Sequence, residues 1–181
     1  MKLLAFAATN HKESINKQLV SYAASLISEA DIELLDLNDY EMPIYSQDRE
    51  EQGGIPEAAQ QFYKKVGEAD AVMIAFAEHN GSYTAAFKNV FDWASRIDQK
   101  VYQGKPMLLL ATSPGPGGAQ NVLASATTSA PFFAGEVLGS ISVPSFYENF
   151  DSEKGQLKST ELDQQIREST EKLAEVFSPV L

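Results

Sequence analysis

The sequence predicts an α/β fold, a doubly wound five-stranded parallel sheet with helices on both faces as a three-layer α/β/α sandwich. Two observations predict it. Short apolar runs alternate along the chain with stretches whose apolar residues recur at helical spacing. One of the runs, Ala71-Val72-Met73-Ile74-Ala75-Phe76, is apolar throughout, as a strand buried on both faces must be. With 181 residues and 44% apolar content the chain can bury a sizeable core, and it reads as one domain over 1–181 without an internal repeat.

Each element follows in order. Leu3 to Ala8 reads as the first strand; it is too short for a secretory signal and runs straight into polar residues. Ser14 can cap a helix carrying Ile15, Leu19, Tyr22 and Leu26 on one face. Ile32 to Leu37, interrupted by Glu33 and Asp36, suits an edge strand. A long stretch from Asn38 to Ile55 then reads either as a functional or interface-covering loop or as a mobile surface excursion. Pro56 suits the first turn of a helix that turns Ala59, Phe62, Tyr63 and Val66 inward. The run Ala71 to Phe76 is the third strand, and Phe87, Val90, Phe91, Ala94 and Ile97 mark the helix after it. Pro106 opens the fourth strand, Met107 to Ala111, and a small-residue helix follows from about Ala119 to Ala130. Val137 to Val143 is the fifth strand; Leu162, Ile166, Leu173 and Val176 mark a closing helix.

Right-handed crossovers leave few ways to assemble five such units. The flavodoxin-like order 2-1-3-4-5 fits them, and it puts strands one and three side by side at the point where the connections diverge. Ligands bind outside the carboxyl ends of the strands at such a point. The loops after strands one, three and four meet there, and they carry the unusual chemistry of this chain.

Composition narrows the chemistry further. A net charge of −11 argues against nucleic acid and against a polybasic membrane contact. No cysteine is present, which removes disulfides, thiolate catalysis and Cys-based metal sites. The two histidines, His11 and His79, lack metal-ligand spacing, so no metal site is assigned. There is no G-x-S-x-G elbow and no Walker A sequence. No apolar run reaches the roughly 20 residues that span a bilayer. The chain is therefore expected to be soluble and cytoplasmic.

The first loop, Thr9-Asn10-His11-Lys12-Glu13-Ser14-Ile15-Asn16, joins a strand to a helix N-terminus, where free N–H groups and the helix dipole favour an anion. Ser14 alone could be a cap and Asn16 a solvent residue. The third loop, Ser113-Pro114-Gly115-Pro116-Gly117-Gly118, lets backbone approach a flat ligand, although alone it could be a plain turn. Between them lies Glu78-His79-Asn80-Gly81-Ser82, a polar loop at the end of the most buried strand.

Together the three loops resemble those of the NADPH-dependent FMN reductase family, over about Lys2 to Val143. The family's first loop runs S-x-R-x-x-S-x-N, matched from Thr9 to Asn16 with His11 in place of the arginine. Its second runs P-E-Y-N-G-S before a helix with L-K-N-A-x-D-W. This chain has Ala77-Glu78-His79-Asn80-Gly81-Ser82 and then Phe87-Lys88-Asn89-Val90-Phe91-Asp92-Trp93. The glycine loop at Ser113 and the stretch Met42-Pro43-Ile44-Tyr45 also match the family's pattern. The second loop with its helix is the specific part.

The resemblance implies an FMN-dependent NAD(P)H oxidoreductase that passes hydride from NADPH or NADH, through bound FMN, to a small-molecule electron acceptor. A quinone, a free flavin or an azo compound would serve. It implies that Thr9, His11, Ser14 and Asn16 hold the FMN phosphate, with Ile15 also among the cofactor-binding residues. Glu78, His79, Asn80 and Gly81 would line the isoalloxazine, and Ser113, Gly115, Gly117 and Gly118 its other edge. The flavin would carry the chemistry, so no side chain is assigned as a catalyst. A homodimer or homotetramer is implied too. Trp93 and Arg96 are residue types enriched at interfaces, though Trp93 could equally be core. Two other readings stay open: a flavodoxin-like electron carrier, which usually presents a T-x-T-G-x-T-like loop absent here, and a flavin-less binding protein.

Overall fold

A computed structural model describes residues 1–177, so the last four residues of the expected 1–181 domain lie outside it. In chain order its elements are β1 (Lys2–Ala8), α1 (Ile15–Ser25), β2 (Asp31–Leu35), α2 (Gln47–Gly53), α3 (Glu57–Glu68), β3 (Ala71–Phe76) and α4 (Ala85–Ala94). They continue with β4 (Pro106–Thr112), α5 (Gln120–Ser129), β5 (Glu136–Val143), α6 (Phe146–Asn149), β6 (Phe150–Asp151), β7 (Gln156–Leu157) and α7 (Thr160–Glu175). The main sheet is parallel in the order β2-β1-β3-β4-β5, as expected.

The pleat explains why the central strands are apolar on both faces. Successive side chains alternate between two cores. Leu4, Phe6, Val72, Ile74, Phe76, Met107 and Leu109 meet α3, α4 and α5 through Phe62, Val66, Phe87, Val90 and Val122. Leu3, Ala5, Met73, Ala75, Leu108 and Leu110 meet α1 and α7 through Leu19, Val20, Ile166 and Leu173. The register Ala8 beside Phe76 beside Ala111 brings three strand ends level, and the ligand-facing loops start from one line.

Several expectations need correction. The second strand stops at Leu35, because Asp36 accepts the Asn38 N–H at 2.9 Å and turns the chain into a 3-10 segment, Leu37–Tyr40. Pro56 is the N-cap of α3 and stands just before its first turn. Tyr63 is half-buried, with Ala59, Phe62 and Val66 forming the inward face. Ile97 lies beyond α4, and Val176, at the C-cap of α7, is 55% exposed. The stretch from Asn38 to Ile55 holds that 3-10 segment and α2, so it is an ordered strap. Trp93 is buried, and its Nε1 donates to the Pro43 carbonyl at 2.7 Å. Asn89 Nδ2 donates to the Met42 and Pro43 carbonyls, and Asn89 Oδ1 accepts the Tyr45 N–H. Trp93 is thus core, leaving Arg96 as the surface member of the pair.

Candidate functional site

The chain after β1 turns tightly, with the Thr9 N–H donating to the Ala7 carbonyl at 2.9 Å. Thr9 Oγ1 accepts the His11 N–H at 3.2 Å. Ser14 caps α1, its Oγ accepting the Asn16 N–H at 3.1 Å. The N–H groups of Lys12, Glu13, Ser14 and Ile15 find no acceptor among the described residues. Those of Ser14 and Ile15 are donors that the start of a helix leaves free, those of Lys12 and Glu13 belong to the loop just before it, and together they make an anion seat. His11, Lys12 and Glu13 are exposed around it. Lys12 is in no ion pair among the described residues, whereas Lys17 pairs with Asp36 at 3.7 Å.

Polar side chains brace each loop against its neighbour. Asn16, 2% exposed, spans the end of β4: its Nδ2 donates to the Thr112 carbonyl at 3.2 Å and its Oδ1 accepts the Thr112 N–H at 3.0 Å. The carboxamide is therefore a clamp between α1 and β4, which corrects the expectation that it faces a phosphate. Thr84 caps α4 and donates its hydroxyl to the Ala8 carbonyl at 2.8 Å. Glu78 extends from the end of β3 to α5. That helix has no side-chain cap of its own, since Ala119 stands at its N-cap with φ 56. Glu78 Oε2 accepts the Val122 N–H at 2.9 Å, and Oε1 accepts from Asn121 at 3.2 Å. A carboxylate at a helix N-terminus both satisfies a free donor and opposes the dipole.

His79 and Ser82 exchange two backbone hydrogen bonds, 3.0 and 3.1 Å long, around Asn80 at φ 52 and Gly81 at φ 76. Left-handed conformation at both central residues is what an Asn-Gly hairpin turn requires, and it makes a stiff, projecting tip. The glycine loop is stitched to the start of α6: the Ser145 N–H donates to Gly115 and the Phe146 N–H to Ser113. Gly118 is there for packing. A Cβ on it would collide with Ser142 Oγ and meet the Pro144 backbone at 3.1 Å.

These loops enclose a cavity of about 240 Å³ at the carboxyl ends of β1, β3 and β4. Of the expected site residues, Thr9, His11, Ser14, Ile15, Asn16, Glu78, His79 and Ser113 line it. Asn80, Gly81, Gly115, Gly117 and Gly118 do not: the first two form the exposed turn tip, Gly115 and Gly117 sit in the loop above, and Gly118 is buried behind it. Sequence reasoning missed Tyr147, which is 64% exposed and reaches the cavity from the four-residue helix α6. That helix is too short for an apolar period, and no other signal in the sequence marked it. No group of three or more His, Cys, Asp or Glu side chains suited to a metal ion occurs among the described residues. No helix among them is long and apolar enough to cross a membrane.

Comparison with known proteins gives the family and the fold. A sequence profile described as NADPH-dependent FMN reductase matches residues 1–149. A 2-hydroxy-1,4-benzoquinone reductase from a Burkholderia species is 35% identical over 117 residues, 64% of this chain and 62% of the relative. An NADPH:quinone oxidoreductase from Arabidopsis thaliana is 31% identical over 125 residues, 67% of this chain and 62% of the relative. The chain thus spans about 62% of the length of each of these relatives. Among solved structures, the flavoenzyme NAD(P)H:(acceptor) oxidoreductase from Paracoccus denitrificans superposes with a TM-score of 0.75 at 23% identity, covering 96% of this chain and 95% of that one. That likeness shows the fold.

Proposed function

The chain belongs to the NADPH-dependent FMN reductase family, and from that premise we propose that it is an FMN-dependent NAD(P)H oxidoreductase acting on a small-molecule acceptor. The observation that carries the proposal is the convergence of three loops on one cavity whose floor is the start of α1. The donor set fits FMN. Free N–H groups from Lys12 to Ile15 suit the terminal phosphate. The cavity is smaller than the ~300–1,000 Å³ of an ordinary small-molecule pocket. It therefore suits the phosphate end of the cofactor, with the ring lying along the open cleft past His79 and Ser113.

When bound, FMN would supply the redox chemistry between a nicotinamide donor and the acceptor. The chain supplies position. Thr9, Ser14 and the α1 N-terminus anchor the phosphate. The Asn80-Gly81 turn and the Ser113 loop would border the ring, and Tyr147 lines the cavity from the α6 side. Asn16, Thr84 and Glu78 hold the three loops at fixed separations, which is how a rigid scaffold pre-organises a site. A quinone, a free flavin or an azo compound fits the acceptor role. We also infer a homo-oligomer, on the strength of the family resemblance.

The test is the visible spectrum of the protein reconstituted with FMN, before and after NADPH is added without oxygen, and again after a benzoquinone. Bleaching by NADPH and recovery with quinone is the expected result. A bound flavin that NADPH cannot bleach would make the chain an electron carrier. No flavin after reconstitution would leave a flavin-less binding protein.

A further inference from the structure

A second cavity, also about 240 Å³, lies between α4 and α5 and is lined by Tyr83, Phe87, Phe91, Tyr102 and Phe133 among others. It shares no lining residue with the cofactor cleft. Its walls are aromatic. Tyr83 and Phe87 lie 5.3 Å apart between ring centroids, Phe87 and Phe91 5.8 Å, and Phe91 and Phe133 4.7 Å, the last pair edge to face. Tyr102 closes the far end, 5.5 Å from Phe91.

Polar groups share the lining: the Lys88–Asp92 ion pair, Ser95, Ser125 and Ser129, and the hydroxyls of Tyr83 and Tyr102. Tyr83 Oη and Ser129 Oγ are 3.3 Å apart and satisfy one another. Tyr102 is 5% exposed, and its hydroxyl has no hydrogen-bond partner among the described residues. No fully buried side-chain oxygen lacks a partner among those residues, so this hydroxyl keeps some exposure, and Tyr102 is one of the residues that line the cavity. Burial, with a smaller contribution from Tyr83, pushes the Tyr102 phenol well above its ordinary pKa, so it stays protonated and able to donate. A polar group in that position is nearly always satisfied by something.

We propose that this cavity is a binding site for a single-ring aromatic molecule carrying an oxygen acceptor, with the ring against Phe87, Phe91 and Phe133 and the oxygen on the Tyr102 hydroxyl. The size agrees: an apolar cavity of about 150 Å³ accepts benzene, so 240 Å³ leaves room for one substituted ring. Apolar walls with a small number of convergent polar groups are the general make-up of such sites. The site is separate from the proposed cofactor cleft and does not depend on the reading of that cleft.

The probes are 4-methylphenol and toluene, which differ by the one oxygen, titrated calorimetrically into protein with excess FMN present. 4-Methylphenol should bind one to one and about 2- to 10-fold more tightly than toluene, the worth of one neutral hydrogen bond. Tyr102→Phe should erase that preference while still binding both. Ser129→Leu, which projects a larger side chain into the cavity, should abolish binding of both. Equal affinities in the unmodified protein, loss of binding on adding FMN, or indifference to Ser129→Leu would each overturn the proposal. So would a complete lack of binding, including the case where sedimentation shows a second copy of the chain covering the groove.

Discussion

Asn16 shows how much one side chain can contribute to a site without touching a ligand. Its carboxamide satisfies both backbone groups of Thr112 in a place where water cannot substitute, since Asn16 is 2% and Thr112 1% exposed. Replacing it by alanine leaves a buried donor and a buried acceptor unpaired, each at a cost of about 1–3 kcal/mol. Asn16→Ala is expected to lower unfolding stability by about 2–4 kcal/mol, read as a lower urea midpoint at unchanged slope. A loss below about 0.5 kcal/mol, the size of an ordinary surface change, would show that the clamp is dispensable. The sequence placed Asn16 at the right loop and in the wrong role. Its partner is 96 positions away, and a contact across that distance leaves no local pattern. Glu78 is similar: its position beside the cleft was legible, while its bond to the N–H of Val122 on α5 spans 44 positions and leaves no local pattern.

At the scale of elements, the strap from Met42 to Gly53 was the least legible part of the chain. Helix α2 buries none of its residues, so it has no apolar period to read; its signals are a Ser46 cap and acidic residues in the first turn. What holds the strap is α4, through Asn89, Trp93 and Arg96. The Arg96 guanidinium donates to Glu50 at 2.9 Å and holds that carboxyl below its usual range, with the Tyr45 hydroxyl also donating to it. Asn89 makes the half-buried part of the attachment and Arg96 the exposed part. Asn89→Ala should therefore speed amide hydrogen exchange from Tyr45 to Gly54 while leaving β1 and β3 protected, and Arg96→Ala should change little, as exposed ion pairs usually do. Equal acceleration in the central strands would mean that the strap is no separate unit. The contact between α1 and α7 gives a second prediction. Burial works to raise the Asp163 pKa, but hydrogen bonds from Tyr22 and Arg167 outweigh it and hold the carboxyl below its usual range. Burial and the same Asp163 push the Tyr22 phenol up to about 12. The depressed acid stabilises the fold above its unfolded pKa near 4 and loses that contribution as pH falls through the folded value. The raised phenol stabilises below its unfolded pKa of about 10 and loses its contribution as pH rises toward 12. Tyr22→Phe should flatten both limbs of the stability profile, and unchanged limbs would show that the pair carries no linkage.

For the whole molecule, the sheet order was legible because it follows from chain-wide rules, namely alternating elements and right-handed crossovers. The position of the cleft followed from the order. The small hairpin of β6 and β7 was not legible, since two-residue strands carry no alternation. The cavity proposed for the cofactor is lined by four segments that are distant in sequence, the Thr9–Ser14 loop, Glu78, Ser113 and Tyr147, and a cofactor bound there should therefore stabilise the fold as one unit. A ligand at 100 times its Kd adds about 2.7 kcal/mol to unfolding stability. For a chain of this size that raises Tm by about 5–10 °C. Riboflavin has the ring and ribityl chain of FMN without the phosphate, so comparing the two isolates the anion seat at the start of α1. If the N–H groups from Lys12 to Ile15 bind the phosphate, FMN should raise Tm by that amount and riboflavin at equal concentration by much less. Ser14→Ala, which removes the cap beside the seat, should reduce the FMN shift more than any riboflavin shift. Equal shifts from the two flavins would mean that the start of α1 does not hold the phosphate, and that the ring loops at Glu78 and Ser113 supply whatever affinity there is.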